Sequence, residues 1–202
     1  MKNDQFHFEI ILGCMFSGKS TELIRRISRY QSIGMTVLCI NHSLDTRAAG
    51  DTIKTHNHDT NLISALKTSA LMSITETEAF TNADVIGVDE SQFFKDLYQF
   101  VLFVEKCNKT LIISGLDGDY KREPIGDILK CIPLCDTVVK LTAFDMIDKD
   151  GSTAIFTKRI SKPVGSADSI EPEEEEQISI GGSEKYLAVS RKNFHLVRFI
   201  KK

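Results

Sequence analysis

No segment of the sequence is apolar for long enough to cross a bilayer, which takes about 20 residues of helix, so no membrane partner is expected. No secretory leader is expected either, because residues 1–7 are polar and the apolar run behind them stops at Gly13. Basic residues are nowhere gathered into a block, and the net charge is -3 with a pI near 6.0, so no field draws in nucleic acid. Cysteine is sparse and odd in number. Cys14, Cys39, Cys107, Cys131 and Cys135 lie mostly within apolar runs, which fits reduced, buried thiols better than a disulfide framework and places the chain in the cytoplasm. There is no internal repeat. What is present, 202 residues with 42% hydrophobic content, suffices for one substantial core with room for a small appended lobe.

Apolar runs (FEIIL, MTVLCI, VIGVD, TLIISGL) alternate with segments of helical period (STELIRRISRY, FKDLYQFVLFVEKC). That order predicts repeated βαβ units, an α/β fold with a mostly parallel sheet flanked by helices. In the first helical segment Leu23, Ile24, Ile27 and Tyr30 share one face, while Arg25, Arg26 and Arg29 form a solvated one. The composition shifts after Leu141. KLTAFDMIDKDGSTAIFTKRI reads as a hairpin, SKPVGSADSIEPEEEEQ as a loop with a solvated acidic tip, and ISIGGSEKYLAVSRKNFHLVRFI as returning extended chain. The expected division is therefore 1–141, an α/β nucleotide-binding domain, and 142–202, a small β lobe.

Immediately after FEIIL comes GCMFSGKST, Gly13 to Thr21, which satisfies G-x-x-x-x-G-K-[ST] and opens the first helix. Strand, loop and helix follow one another as a phosphate loop requires. Glycines let backbone N–H groups turn onto phosphates, the helix N-terminus adds positive potential, Lys19 reaches the β and γ oxygens, and the Ser20 hydroxyl can ligate Mg²⁺. Gly13, Ser17, Gly18, Lys19, Ser20 and Thr21 are the candidate ATP-phosphate contacts. Asp89, ending the strand VIGVD, is the candidate second Mg²⁺ partner. Glu90 beside it would activate water in an ATPase or an organic hydroxyl in a kinase, and the phosphate loop with the DE pair does not choose. Three features lean away from water: Phe93 and Phe94 as an apolar wall, though equally readable as core; DTRAAGD after the second strand, though a surface salt bridge is the plainer reading; and the glycine turn IGGSEKY with Tyr186.

Taken together, GCMFSGKSTELIRR, LDTR, VDESQFF, GLDGDYKREPIGDIL, VVKLTA, FTKR and IGGSEKY resemble, in order and spacing, the type II thymidine kinases, a cytosolic, homotetrameric family. The resemblance runs from about Phe8 to Phe194. It implies a P-loop, RecA-like α/β domain with a C-terminal lobe bearing a lasso loop, and transfer of the γ-phosphoryl of ATP to the 5′-hydroxyl of thymidine and deoxyuridine. It implies Glu90 as general base, and Arg47 with Lys19 on the transferred phosphoryl. Met15, Phe93, Leu116, Thr157 and Tyr186 would wall the pyrimidine, Asp45 and Tyr120 would lie near the deoxyribose, and backbone groups around Gln177 and Ser179 would read the base edge. Ser91, Tyr120 and Ile125 depart from the family pattern, which has glycine, phenylalanine and an aromatic there. Asp145, Asp148, Ser190 and Asn193 stand where the family holds zinc, so no structural zinc is expected. The expected substitute is apolar packing by Phe144, Ile147, Ile155 and Phe156 with Phe194, Leu196, Val197, Phe199 and Ile200, the tail forming an extra strand. The rival reading is a P-loop ATPase or nucleotide-binding module whose nucleoside specificity is altered or lost.

Overall fold

The computed structural model describes residues 6–44, 52–53, 63–160 and 181–196. The strands are β1 (His7–Gly13), β2 (Val37–His42), β3 (Thr52–Ile53), β4 (Ile63–Ser64), β5 (Leu66–Thr68), β6 (Val85–Val88), β7 (Thr110–Gly115), β8 (Thr137–Leu141), β9 (Ala143–Phe144), β10 (Thr153–Ala154), β11 (Phe156–Arg159) and β12 (Tyr186–Val189). The helices are α1 (Lys19–Ser32), α2 (Glu78–Asn82), α3 (Leu97–Lys106) and α4 (Arg191–Phe194). Six strands form one sheet in the order β5-β2-β6-β7-β1-β8, with every pairing parallel. Central strands β6 and β7 are buried along their whole length, as uninterrupted apolar strands must be when helices cover both faces. Parallel strands end at a common edge, so the turns after β1, β2, β6, β7 and β8 gather there.

Helix α1 covers one face, its Leu23, Ile24 and Ile27 packing on Ile11, Cys39, Val85 and Ile112. On the other face Phe100, Val101 and Val104 of α3 join Phe8, Ile10, Ile86 and Ile113 in the larger core cluster. One of the three arginines departs from the expected solvated face. Arg26 turns inward to pair with Glu9 of β1 and with Glu22 at 2.7 Å, its side chain only 14% exposed, because the long stem can lie along the sheet. The Arg25 and Arg26 guanidiniums donate to Glu22, and these bonds hold its carboxyl down at about 2 against the opposing effect of burial. All five cysteines are free, as expected, with Cys14, Cys39 and Cys131 buried. Among the described residues no helix is long and apolar enough to cross a membrane.

Beyond Leu141 the chain leaves the large sheet. β9 pairs with β10 and β11 with β12, both antiparallel, giving the expected hairpin and a second two-stranded ribbon. The extended return is correct for β12 but not after it. Ser190 adopts an extended conformation and its Oγ accepts the Asn193 N–H at 3.3 Å, an N-cap that starts the single turn α4. Lys158 closes the other end, its Nζ donating to the carbonyls of Asn193 (2.9 Å), Phe194 (3.0 Å) and Leu196. Phe194 packs on Phe156 at 5.1 Å between ring centroids, and Arg122 lies 4.4 Å over the Phe194 ring. Phe144 does not join this packing. Strand alternation turns Ala143 towards Cys14 and leaves Phe144 73% exposed. Val197, Phe199 and Ile200, expected in an extra strand, lie outside the described residues.

Candidate active site

Three residues of the phosphate loop, Gly13, Phe16 and Gly18, have positive φ. Gly18, at φ +82°, caps α1 with no side-chain bond, which leaves the first N–H groups of the helix facing outward. Phe16 is also left-handed, at φ +65°. A Cβ on Gly13 would come within 2.5 Å of Ser17 Oγ and 2.6 Å of Leu141 O, so only glycine fits there. Lys19 Nζ donates to Cys14 O at 2.8 Å across the mouth of the loop. Ser17 Oγ is buried with no hydrogen-bond partner among the described residues. Outward N–H groups, an unsatisfied hydroxyl and a lysine held on a carbonyl make a cradle that fits a polyphosphate.

Further along the same sheet edge, Asp89 and Glu90 follow β6. Asp89 Oδ1 accepts from Ser114 Oγ at 2.5 Å and from the Glu90 N–H at 3.0 Å, which fixes one carboxylate oxygen. Glu90 is left-handed at φ +51°, ψ +37°, a conformation that costs a non-glycine residue about 1–2 kcal/mol. Its side chain is buried, and Oε2 accepts from Gln92 Nε2 at 2.7 Å. Gln92 Oε1 in turn accepts the Leu116 N–H at 3.0 Å. Phe94 is fully enclosed in the core, whereas Phe93 is half-buried. The two adjacent aromatics therefore take different roles. Phe93 lines a cavity of about 610 Å³ with His42, Leu44, Ala70, Asp96 and Gln99, none of which was a predicted site residue. His42, wedged edge-on against Phe94 at 4.5 Å, has its pKa lowered by burial, with Asp96 and Glu90 opposing.

The small lobe reaches the phosphate loop directly. Thr157 Oγ1 accepts the Met15 N–H at 3.0 Å, and Cys14 Sγ donates to Ala154 O at 3.6 Å. Thr157 and Tyr186 are both buried on the β11–β12 ribbon, where Arg159 is the register partner of Tyr186. Arg159 and Lys121 lie over the Tyr120 ring at 5.4 and 5.3 Å. Asp45, Arg47, Gln177 and Ser179 lie outside the described residues.

The four positions proposed to replace zinc ligands are brought together. Asp145, 2% exposed, accepts the N–H groups of Ile147 (2.8 Å), Asp148 (3.0 Å) and Ser190 (2.6 Å). Asp148 pairs with Lys192 at 3.1 Å, and the buried Asn193 amide faces both carboxylates outside hydrogen-bond geometry. Oxygens saturated by backbone donors, beside a lysine and an amide, do not fit zinc, which selects thiolate and imidazole. Burial alone would raise the Asp145 pKa, but the Ser190 and Asp148 N–H groups, with the Ser190 and Asn193 side chains, outweigh it and hold the carboxyl well below the usual range. A depressed folded pKa contributes stability that is present above about pH 4, the ordinary carboxylate range, and is lost as pH falls below it. Asp145→Ala should lower the unfolding free energy by about 2–3 kcal/mol, with the difference from wild type narrowing in acid. Denaturant melts at pH 7 and pH 3 check this, and a constant gap would remove the charge from the account.

The family model for thymidine kinase matches residues 6–194. The chain belongs to the thymidine kinase family. Thymidine kinase of Yaba monkey tumor virus is 42% identical over 191 residues, covering 95% of this chain and 96% of the relative. That of sheeppox virus is 41% identical over 194 residues, covering 96% and 99%. Vaccinia virus thymidine kinase is 41% identical over 186 residues, covering 92% and 95%. The crystal structure of the flagellar accessory protein FlaH from Methanocaldococcus jannaschii aligns with a TM-score of 0.49 at 17% identity, covering 71% of this chain and 74% of that one.

Within the thymidine kinase family the departures noted in the sequence are locally absorbed. Ser91, in place of the usual glycine, is fully buried and its Oγ donates to Ser114 O at 2.7 Å. Ile125 is buried in the loop after β7. Sequence reasoning missed Ser114 and the bridging amide of Gln92. A hydroxyl two residues before Leu116, on the strand next to VIGVD, was the available signal for Ser114; Gln92 had none beyond its place two residues after Glu90.

Proposed function

We propose that the protein transfers the γ-phosphoryl of ATP to the 5′-hydroxyl of thymidine, and of deoxyuridine, with Glu90 as the general base. One observation carries the reading. Glu90 is buried in a left-handed turn on the sheet edge that also bears the phosphate loop, and an amide directs its carboxylate. A carboxylate so restrained suits aligning one bound hydroxyl. When bound, ATP supplies the phosphoryl group, and Mg²⁺ its charge neutralisation; Gly13 to Thr21 would hold the phosphates, and Ser20 and Asp89 the metal. Lys19 and Arg47 steady charge on the transferred oxygens. Met15, Phe93, Leu116, Thr157 and Tyr186 enclose the pyrimidine, Asp45 and Tyr120 approach the sugar, and backbone groups around Gln177 and Ser179 select the base edge, since a purine would leave them unpaired. Residues 1–141 thus hold the nucleotide and one side of the nucleoside, and 142–202 close over the nucleoside.

The decisive experiment incubates purified protein with ATP, Mg²⁺ and a panel of nucleosides. ATP consumption should track the appearance of thymidine monophosphate. Fast ATP hydrolysis without nucleoside, and no phosphorylated nucleoside with it, would establish an ATPase instead. The lobe works without zinc, the Asp145 cluster taking the clamping role, so elemental analysis should find no stoichiometric zinc; about one per chain would end this reading. Family membership also supports a cytoplasmic homotetramer, which a monomer seen by light scattering at micromolar concentration would refute.

A further inference from the structure

We infer that Gln92 is a positioning residue for the phosphoryl transfer, holding the Glu90 side chain aimed while tying it to the backbone of the nucleoside wall at Leu116. The inference rests on Glu90 being the base. The orientation of the Gln92 amide is unambiguous. Its oxygen must meet the Leu116 N–H at 3.0 Å and its NH₂ the Glu90 carboxylate at 2.7 Å, because the flipped amide would set donor against donor and oxygen against oxygen. Gln92 can therefore donate to Glu90 but cannot accept a proton from it.

The surroundings leave the amide no other place. Gln92 is 2% exposed, and it lies between two glycines. A Cβ on Gly115 would fall 2.5 Å from Gln92 Oε1, and one on Gly126 would fall 2.1 Å from Gln92 O. The first approach makes room for the amide beside Ile128 and Ser91, and the second brings Gly126 against the backbone of residue 92. The bridge also spans two strand ends, Glu90 after β6 and Leu116 after β7, so a nucleoside leaning on Leu116 and the base that attacks through its hydroxyl share one rigid link. Removing the link displaces the carboxylate without touching the phosphate loop, where an error of about 1 Å costs about a hundredfold in rate.

The test compares kcat and KM for thymidine phosphorylation in wild type, Gln92→Glu, Gln92→Leu and Glu90→Gln, with ATP binding measured on each. Gln92→Glu keeps the shape and the acceptor for the Leu116 N–H but replaces the donor to Glu90 with a second carboxylate, so kcat should fall roughly tenfold to a hundredfold with KM for ATP near the wild-type value. Gln92→Leu should lose roughly tenfold to a hundredfold in kcat at an unchanged ATP dissociation constant, which also shows that it is folded. Wild-type kcat in Gln92→Leu and Gln92→Glu, with Glu90→Gln inactive, overturns the role of Gln92 and leaves Glu90 as base. A Glu90→Gln enzyme of normal turnover overturns both.

Discussion

Glu90→Gln should bind ATP as the wild type does and phosphorylate thymidine roughly a hundredfold to ten-thousandfold more slowly. The substitution keeps the length of the side chain, and its amide oxygen can still accept from Gln92 Nε2, so the bridge to Leu116 survives. The left-handed turn at position 90 is backbone geometry and is unaffected. Only the capacity to take up the hydroxyl proton is removed. Single-turnover rates with saturating ATP, alongside calorimetric titration of the nucleotide, separate the two quantities. Turnover near the wild-type value would exclude Glu90 as the base.

Lys19→Ala should fail differently, weakening nucleotide binding and slowing turnover about a hundredfold to a thousandfold, because the ammonium acts on bound nucleotide and transition state alike. Lys19 Nζ also spans the loop to Cys14 O, so its loss leaves that carbonyl without this donor. The loop shape itself is held by glycine geometry at Gly13 and Gly18 and by the Met15 contact to Thr157, so the variant should fold. The measured pair is the ATP dissociation constant and kcat. Normal values of both would remove the phosphate-loop assignment.

Much of the large sheet was legible because its signals are local. VIGVD and TLIISGL are apolar without interruption, and a strand covered on both faces needs that pattern; GCMFSGKST carries its own geometry in its glycines. Where competing long-range terms decide, the sequence was a poorer guide. Arg26 looked like one of three solvated arginines until Glu9, on a separate strand, drew it inward. The chain after Val189 looked extended because its apolar residues are frequent, yet Ser190 supplies an N-cap and Lys158 a C-terminal donor, and together these favour a helical turn. Phe144 was expected in the lobe core, but a strand with Ala143 facing inward must send its neighbour out. The bond from Leu116 to Gln92, which completes the bridge to Glu90, joins positions 24 residues apart, and nothing in the spacing of a single sequence encodes such a pairing.

The bond from the Met15 N–H to Thr157 makes the phosphate loop and the β11–β12 ribbon two ends of one joint. Cys14 adds a second point of attachment, its thiol on Ala154 O and its side chain among Ala154 and Ala188. A ligand that stiffens either end restricts the other, and the ordering cost it meets is then no longer met by the second ligand. With the nucleoside placed on the ribbon as proposed, occupancy of the two sites would be linked through this joint, and whatever factor nucleotide adds to nucleoside affinity, nucleoside must add to nucleotide affinity in return.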